Sequence, residues 1–368
     1  MYSCIMLPSK YVQGRAVLPL IGEFLVRLGK RALLLRGKTT ASIVDTAITA
    51  GLQEQGIELA KVDFGGECSE DEITRVAEIA RAEAADIIIG AGGGKVIDVV
   101  KSVGYPADLA VVMVPTIAAT DAPTSSVVVL YTAAGVFAGV RFYGKNPDLV
   151  LVDVETIARA PVRYLVAGMG DALSTWFEAD TARRAHRPNT SGGLATQAAL
   201  KWARLCYETL LADGLAARRA VEKGVVTPAV ERIVEANILL SGIGAESGGL
   251  AAAHSVHNGL TVLPETAHYY HGEKVAFGTL TQLVLEGRRT DEMREVAEFC
   301  LSVGLPLTLG ELGVTNLSPE NLMPAAELAC APGEIIHNEP FPVTPQMVYE
   351  AMLAADALGK EWSAQRKG

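Results

Sequence analysis

Five short aliphatic runs, separated by helical patterns, limit the architecture of this chain more than any other feature. Residues 31–36, 57–64, 86–91, 109–115 and 149–154 are rich in aliphatic side chains, in most of them at consecutive positions. A strand that is apolar on both faces must be covered on both faces. The stretches between the runs read as helices. The clearest follows Ser69, where Ser69 and Glu72 have the spacing of a capping box and Ile73, Val76, Ala77 and Ala80 keep one apolar face. The pattern predicts an α/β N-terminal domain with a mostly parallel, doubly wound sheet.

After about residue 155 strand signals stop. Helices are predicted over residues 164–185, 193–211, 230–246, 249–261, 272–285 and 291–302, and two more begin with proline after Ser318 and Thr344. The change falls near residues 153–161, giving an α/β domain over 1–160 and an all-helical domain over 161–368. Residues 363–368 are expected to be loose.

The length of 368 residues suits two domains, and a hydrophobic fraction of 49% suits a folded chain with a sizeable core. A net charge of −10 argues against a nucleic-acid partner, which would require a basic surface. No apolar run approaches the roughly 18 residues of a membrane span, and residues 1–10 lack the order of a secretory signal. Cys4, Cys68, Cys206, Cys300 and Cys330 are odd in number and scattered, without a CxxC pair. That usage is expected of reduced thiols in a cytoplasm.

Four stretches hold the residues that could do chemistry. His254, His257, His268 and His271, four of six histidines, fall within residues 248–278. Imidazole is a frequent ligand of zinc and related metals, although histidines in buried helices are also held by plain hydrogen bonds. Residues 86–101, DIIIGAGGGKVIDVVK, run from a strand through Gly92, Gly93 and Gly94 into a helix. Such a turn can seat a phosphate at the helix N-terminus, with Lys95 adding a cation, or can be simply a turn. It lacks the third glycine of G-x-G-x-x-G, replaced by Lys95, and lacks the Ser/Thr of a P-loop, replaced by Val96. Residues 114–132 leave a strand into a hydroxyl-rich loop containing Thr116, Thr120, Asp121, Thr124 and Ser125. Ligands of open α/β sheets bind at such loops, beyond the carboxyl ends of the strands. In residues 166–180, Asp171 follows a glycine pair and has apolar neighbours Ala172, Leu173 and Trp176. It should face inward, either complementing a helix dipole or joining the histidines.

Taken together, GGGKxxDxxK at 92–101, PTxxxTDAPTS at 115–125, GxGDALxTWFEA at 168–179, AAHxxHNG at 252–259, HGEKVAFGTL at 271–280 and HNEPF at 337–341 resemble the iron-containing alcohol dehydrogenase superfamily, most closely its glycerol dehydrogenase branch. The resemblance spans nearly the whole chain. It implies metal-dependent oxidation of glycerol and related 1,2-diols to dihydroxyacetone, with hydride passing to a nicotinamide cofactor. It also implies a homo-oligomer acting on a small polyol. The metal ligands it assigns are Asp171, His254 and His271, which would also hold the substrate. One carboxylate and two imidazoles with an open position compose a catalytic site. Iron-using relatives have a further histidine at the position of Thr175, so Zn²⁺ is expected ahead of Fe²⁺. His257 is placed in the pocket as a possible proton carrier and His268 at the periphery. Gly94, Lys95, Thr116, Ala119, Ser125, Val127 and Tyr131, together with Gly37, Gly93 and Asp98, are assigned to the dinucleotide, and Asp121 to the polyol and its reaction.

The chain departs from the branch at two of these positions. Ala119 stands where serine is usual, and Gly37 where NAD-specific relatives carry an aspartate that holds the ribose 2′-hydroxyl. With Arg36 and Lys38 beside it, Gly37 predicts NAD as cofactor with NADP better tolerated than usual. Alternatives on the same scaffold are a glycerol-1-phosphate dehydrogenase, another polyol oxidoreductase or a dehydroquinate synthase-type lyase. Outside enzymes, the alternative is a non-catalytic dinucleotide-binding protein with a vestigial metal pocket.

Overall fold

The computed structural model describes residues 2–367. Two compact units divide the chain. One comprises Met6–Leu165 and Ala220–Gly242; the other holds the residues up to Ile5, Val166–Arg219 and those from Ile243 onward.

The first unit is built on eight strands: β1 (Tyr11–Gly14), β2 (Arg31–Arg36), β3 (Glu58–Asp63), β4 (Ile87–Gly92), β5 (Ala110–Pro115), β6 (Val127–Tyr131), β7 (Phe137–Phe142) and β8 (Leu149–Asp153). Six form one sheet in the order β1-β8-β5-β4-β2-β3, and all its pairings are parallel. Each of the five aliphatic runs supplies one strand. The sixth, β1, is too short and polar to have stood out, and it pairs with β8 at the sheet edge. In the middle of the sheet the register sets Leu34 beside Ile89, Ile89 beside Val112 and Val112 beside Leu149, all buried. Each such side chain contributes about 1.5–3 kcal/mol by leaving water.

The helices between strands begin as the sequence suggests, with one difference. The Ser69 hydroxyl accepts the Glu72 N–H at 3.3 Å. The Glu72 carboxylate, however, does not return to Ser69. It accepts the Gly65 N–H at 2.7 Å and binds Arg75, so the capping box is half formed. Its other half stitches the preceding loop to the helix Glu70–Ala82. β6 and β7 form a separate antiparallel hairpin. Two buried charges underpin it, with Lys101 Nζ donating to the Val127 carbonyl at 2.6 Å and Asp98 accepting the Val129 N–H at 3.1 Å.

The second unit is helical. Its elements include most of Val162–Arg184, together with Ala252–Leu260, His271–Leu285, Thr290–Val303 and Pro345–Lys367. The tail expected to be loose is helical through Lys367, and Gly368 lies outside the described residues. The predicted helix at 193–211 instead occupies Gln197–Val221. Thr196 accepts the Ala199 N–H to start it, while Leu194 is held in a bridge to Ser3. The predicted 230–246 helix is interrupted by a wider π turn at Ala236–Leu240, whose Ile238 carbonyl is taken by Thr124 Oγ1 at 2.7 Å. Among the described residues no helix is long and apolar enough to cross a membrane.

Candidate active site

In the α/β unit the chain leaves β2 toward β3 on one side and leaves β4 toward β5 on the other. The ends of β2 and β4 therefore mark the switch point where open α/β sheets bind ligands. Gly37 follows β2 there, its N–H bonded to the Ala91 carbonyl at 3.3 Å. Gly93 caps the helix Gly94–Gly104 after β4, leaving backbone N–H groups at its start. Thr116, just past β5, is buried and bonded through its N–H to the Gly92 carbonyl.

Side chains around this turn have partners that the sequence did not reveal. Lys95 Nζ is paired with Glu67 at 2.6 Å and lies 4.9 Å from the centre of the Tyr131 ring. Burial, with the charges of Asp98 and Glu67, pushes the Tyr131 phenol up to about 12. Asp98 is buried between Lys101 and the Val129 N–H, where it supports the hairpin; burial raises its carboxyl. Val127 is fixed from below by Lys101, and Ser125 is buried with its hydroxyl turned to the Ala122 carbonyl. Ala119 is half-buried in the same loop. Asp121 Oδ2 accepts the Ser241 hydroxyl at 2.9 Å, which ties the loop to the residue after the π turn. Arg36 is matched by two carboxylates, Asp45 at 3.1 Å and Asp63 at 3.4 Å. Its charge is thus already compensated; of the two cations flanking Gly37, Lys38 is the exposed one.

In the helical unit Asp171, His254 and His271 come together from three helices. Their ligating atoms all lie within 4.8 Å of one another. The Asp171 carboxylate is buried, with Oδ1 at 3.0 Å from His271 Nε2 and 3.3 Å from His254 Nε2. Close packing of backbone makes this possible. A Cβ on Gly272 would stand 1.8 Å from the Ala167 carbonyl oxygen, and one on Gly170 would stand 2.3 Å from that of Gly272. Only glycine at both positions lets the start of the His271 helix lie against the Asp171 helix.

Each imidazole has its other nitrogen occupied. His254 Nδ1 is 2.6 Å from Glu178 Oε2. A carboxylate can only accept, so Nδ1 carries a proton and Nε2 is the nitrogen turned toward Asp171. For His271 the same result follows along a chain. Asn258 Nδ2 donates to Glu334 at 3.1 Å, which turns its Oδ1 to His257 Nδ1 at 3.0 Å. His257 Nδ1 therefore bears hydrogen and its Nε2 accepts from His271 Nδ1 at 3.0 Å. These proton positions are assigned from the hydrogen-bond network. Burial, then the charges of His271, Lys274 and His254, hold His257 well below the usual histidine range, so it is neutral. Two Nε2 atoms and a carboxylate then face each other, and positive charge belongs among them, carried by protons on Nε2 or by a metal ion in their place. The donor set fits a divalent metal ion of the zinc or iron kind.

The electrostatics agree. Burial alone would raise the Asp171 carboxyl, but His271 and the hydrogen bonds of both imidazoles hold it far below the usual carboxylate range. Burial opposes charge on His254 too, yet Glu178 and then Asp171 raise its hold on a proton well above the usual histidine range. His257 is engaged at both nitrogens, and His268 is exposed beside Tyr269. Thr175 is buried. Glu178 was overlooked in the sequence although it lies within the GxGDALxTWFEA motif. The available signal was its spacing, seven residues or two helical turns after Asp171, which places it on the same face. Asn258 and Glu334 gave no comparable signal.

Comparison with known proteins sets this geometry in a family. The model of the iron-containing alcohol dehydrogenases matches residues 8–154. A glycerol dehydrogenase of Citrobacter freundii is 49% identical over 99% of this chain and 100% of its own. A glycolaldehyde reductase of Halobacterium salinarum is 50% identical over 96% of this chain and 97% of its own. The crystal structure of glycerol dehydrogenase from Schizosaccharomyces pombe superposes with a TM-score of 0.94 at 37% identity, covering 99% of this chain and 93% of that one.

Proposed function

The chain belongs to the iron-containing alcohol dehydrogenase family, in its glycerol dehydrogenase branch, and from that premise we propose that it oxidises glycerol to dihydroxyacetone with a nicotinamide dinucleotide as hydride acceptor. The observation that carries this reading is the convergence of Asp171, His254 and His271 on one point with both Nε2 atoms turned inward and both Nδ1 atoms held from behind. Asp171, His254 and His271 would hold one divalent ion, Zn²⁺ ahead of Fe²⁺, because Thr175 stands where iron-using relatives supply another imidazole. Such an ion supplies Lewis acidity toward a substrate hydroxyl.

The protein's own contributions follow from burial and bonding. Asp171 keeps its negative charge in a dry setting, where electrostatic interactions are strongest. His257 acts as a positioning group for His271, since both its nitrogens are engaged. The dinucleotide is assigned to the switch point of the sheet, with Gly93 and Gly94 giving its pyrophosphate close access to backbone N–H groups and Lys95 supplying a cation. Gly37, Thr116, Ala119, Ser125, Val127 and Tyr131 would complete its surroundings, with Asp98 supporting the hairpin from beneath. Asp121, held by Ser241, is assigned to the polyol. In the net reaction the carbinol carbon gives hydride to the nicotinamide and its hydroxyl gives a proton to solvent.

NAD is the expected cofactor. Gly37 removes the carboxylate that would repel a 2′-phosphate, while the pairing of Arg36 with Asp45 and Asp63 reduces the attraction available to one. Discrimination against NADP should therefore be weaker than in relatives with aspartate at that position. A phosphorylated glycerol is not favoured, because Lys274 is buried next to the triad, where burial lowers its hold on a proton. Self-association and a cytoplasmic setting are part of the same reading, the latter in keeping with five free cysteines.

Parallel assays of glycerol, 1,2-propanediol and glycerol phosphate with NAD and NADP, and of glycolaldehyde reduction, test this proposal. Highest kcat/KM on glycerol with NAD is expected. A clear preference for glycolaldehyde, the substrate named for the Halobacterium relative, would move the assignment to aldehyde reduction.

A further inference from the structure

The side chains behind the triad are not equivalent, and one of them stands out. Glu178 is fully buried, yet among the described residues it is paired with neither lysine nor arginine. Its Oε2 lies 2.6 Å from His254 Nδ1, and its Oε1 accepts the backbone N–H groups of Ala251 and His254, each at 3.0 Å. One carboxylate therefore holds both the imidazole and the first turn of the helix that carries it. His271, by contrast, leans on the neutral ring of His257. A buried carboxylate without a basic partner is costly unless a positive charge lies near. The imidazole links Glu178 to the point where the triad converges, so a cation bound there would offset it.

We propose that Glu178 is a positioning residue that orients His254 and strengthens it as a metal ligand. The inference rests on the functional reading above. Nδ1–H bonding to a carboxylate fixes the tautomer and ring angle and makes Nε2 a better donor, and groups in this role typically influence metal affinity by about 10- to 100-fold. His254 would accordingly be the stronger of the two imidazole donors.

Helix capping alone could also explain Glu178, and Gln282 separates the two roles. Its Oε1 accepts the Ala253 N–H at 2.8 Å in the same helix turn without touching an imidazole. The test uses the full-length chain stripped of metal, titrated with Zn²⁺ against a chromophoric chelator and, separately, with Co²⁺ to read ligand-field bands. Glu178→Gln keeps the shape and an acceptor but removes the charge; Gln282→Ala removes a cap. Circular dichroism and thermal melting verify that each variant is folded. The expected result is about 10- to 100-fold weaker Zn²⁺ binding and shifted Co²⁺ bands in Glu178→Gln, with Gln282→Ala within about threefold of wild type. Wild-type affinity and bands in Glu178→Gln would overturn the proposal, as would an equal loss in Gln282→Ala. Absence of metal binding in the wild-type chain would instead overturn the functional reading on which it rests.

Discussion

The glycine turn after β4 is built from backbone within one stretch of sequence, whereas the Asp171–His254–His271 cluster takes one side chain from each of three helices of the other unit. At the turn, donors come from the start of a helix and most side chains brace the surroundings, as Asp98 and Lys101 brace the hairpin. At the cluster, every donor atom depends on another group: Nδ1 of His254 on Glu178, Nδ1 of His271 on His257, and the approach of the helices on Gly170 and Gly272. The turn should therefore tolerate loss of one side chain by weakening. The cluster should fail when its frame moves by even one atom.

The sharpest way to break this contrast is Gly272→Ala. The added methyl would sit 1.8 Å from the Ala167 carbonyl oxygen and 2.7 Å from the Asp171 nitrogen. Loss of bound metal is expected, with a stability loss of about 3–5 kcal/mol. Metal analysis and denaturant unfolding check it, and a variant with native metal content and stability would show that the backbone contact does not set the site.

Protonation provides a second probe of the helical unit. Burial, reinforced by Glu286 and Glu178, pushes the Glu339 carboxyl up to about 8. An unfolded glutamate titrates near 4.3. Between those values the folded chain binds the extra proton, so this group stabilises most below pH about 4.3, and that stability is lost as pH rises through about 8. Glu339→Gln, which stays neutral, should flatten the decline in Tm between pH 5 and pH 9. Parallel curves for variant and wild type would contradict the assignment.

At the turn, Lys95→Ala should raise the dinucleotide Kd about tenfold, the scale of one charge-assisted contact after release from Glu67, and leave metal content unchanged. Fluorescence titration with NADH measures it. The smallest effect is expected from Gly37→Asp, which should increase the preference for NAD over NADP in kcat/KM by roughly fivefold through exposed charge repulsion. An unchanged ratio would remove Gly37 from the account of cofactor choice.

Legibility in the sequence follows the same division. The four inner strands were visible because they are covered on both faces and so are largely aliphatic, and the edge strand β3 because Ile57, Leu59, Val62 and Phe64 mark it among charged residues. β1 was not visible because it is a short, half-buried edge strand. At the candidate site, the ligand set could be named by resemblance, but nothing in the spacing of residues 171, 254 and 271 shows that their side chains meet. Asn258 and Glu334 act through hydrogen bonds between separate elements, which leave no periodic trace, and the spacing of Glu178 from Asp171 shows a shared helix face but not its partner His254. The half-formed capping box at Ser69 teaches a related point, for Glu72 found a better partner in Gly65, outside the motif. Likewise Arg36 looked like free positive charge until Asp45 and Asp63 were placed against it.

The most direct test of the central claim is a titration of metal-stripped protein with Zn²⁺, in which bound metal per chain and glycerol-dependent NADH formation are measured on the same samples. Turnover should rise in proportion to bound metal up to one ion per chain and then stop, while His271→Ala neither binds the ion nor turns over. Full glycerol oxidation by metal-free wild type, or metal binding undiminished in His271→Ala, would contradict it.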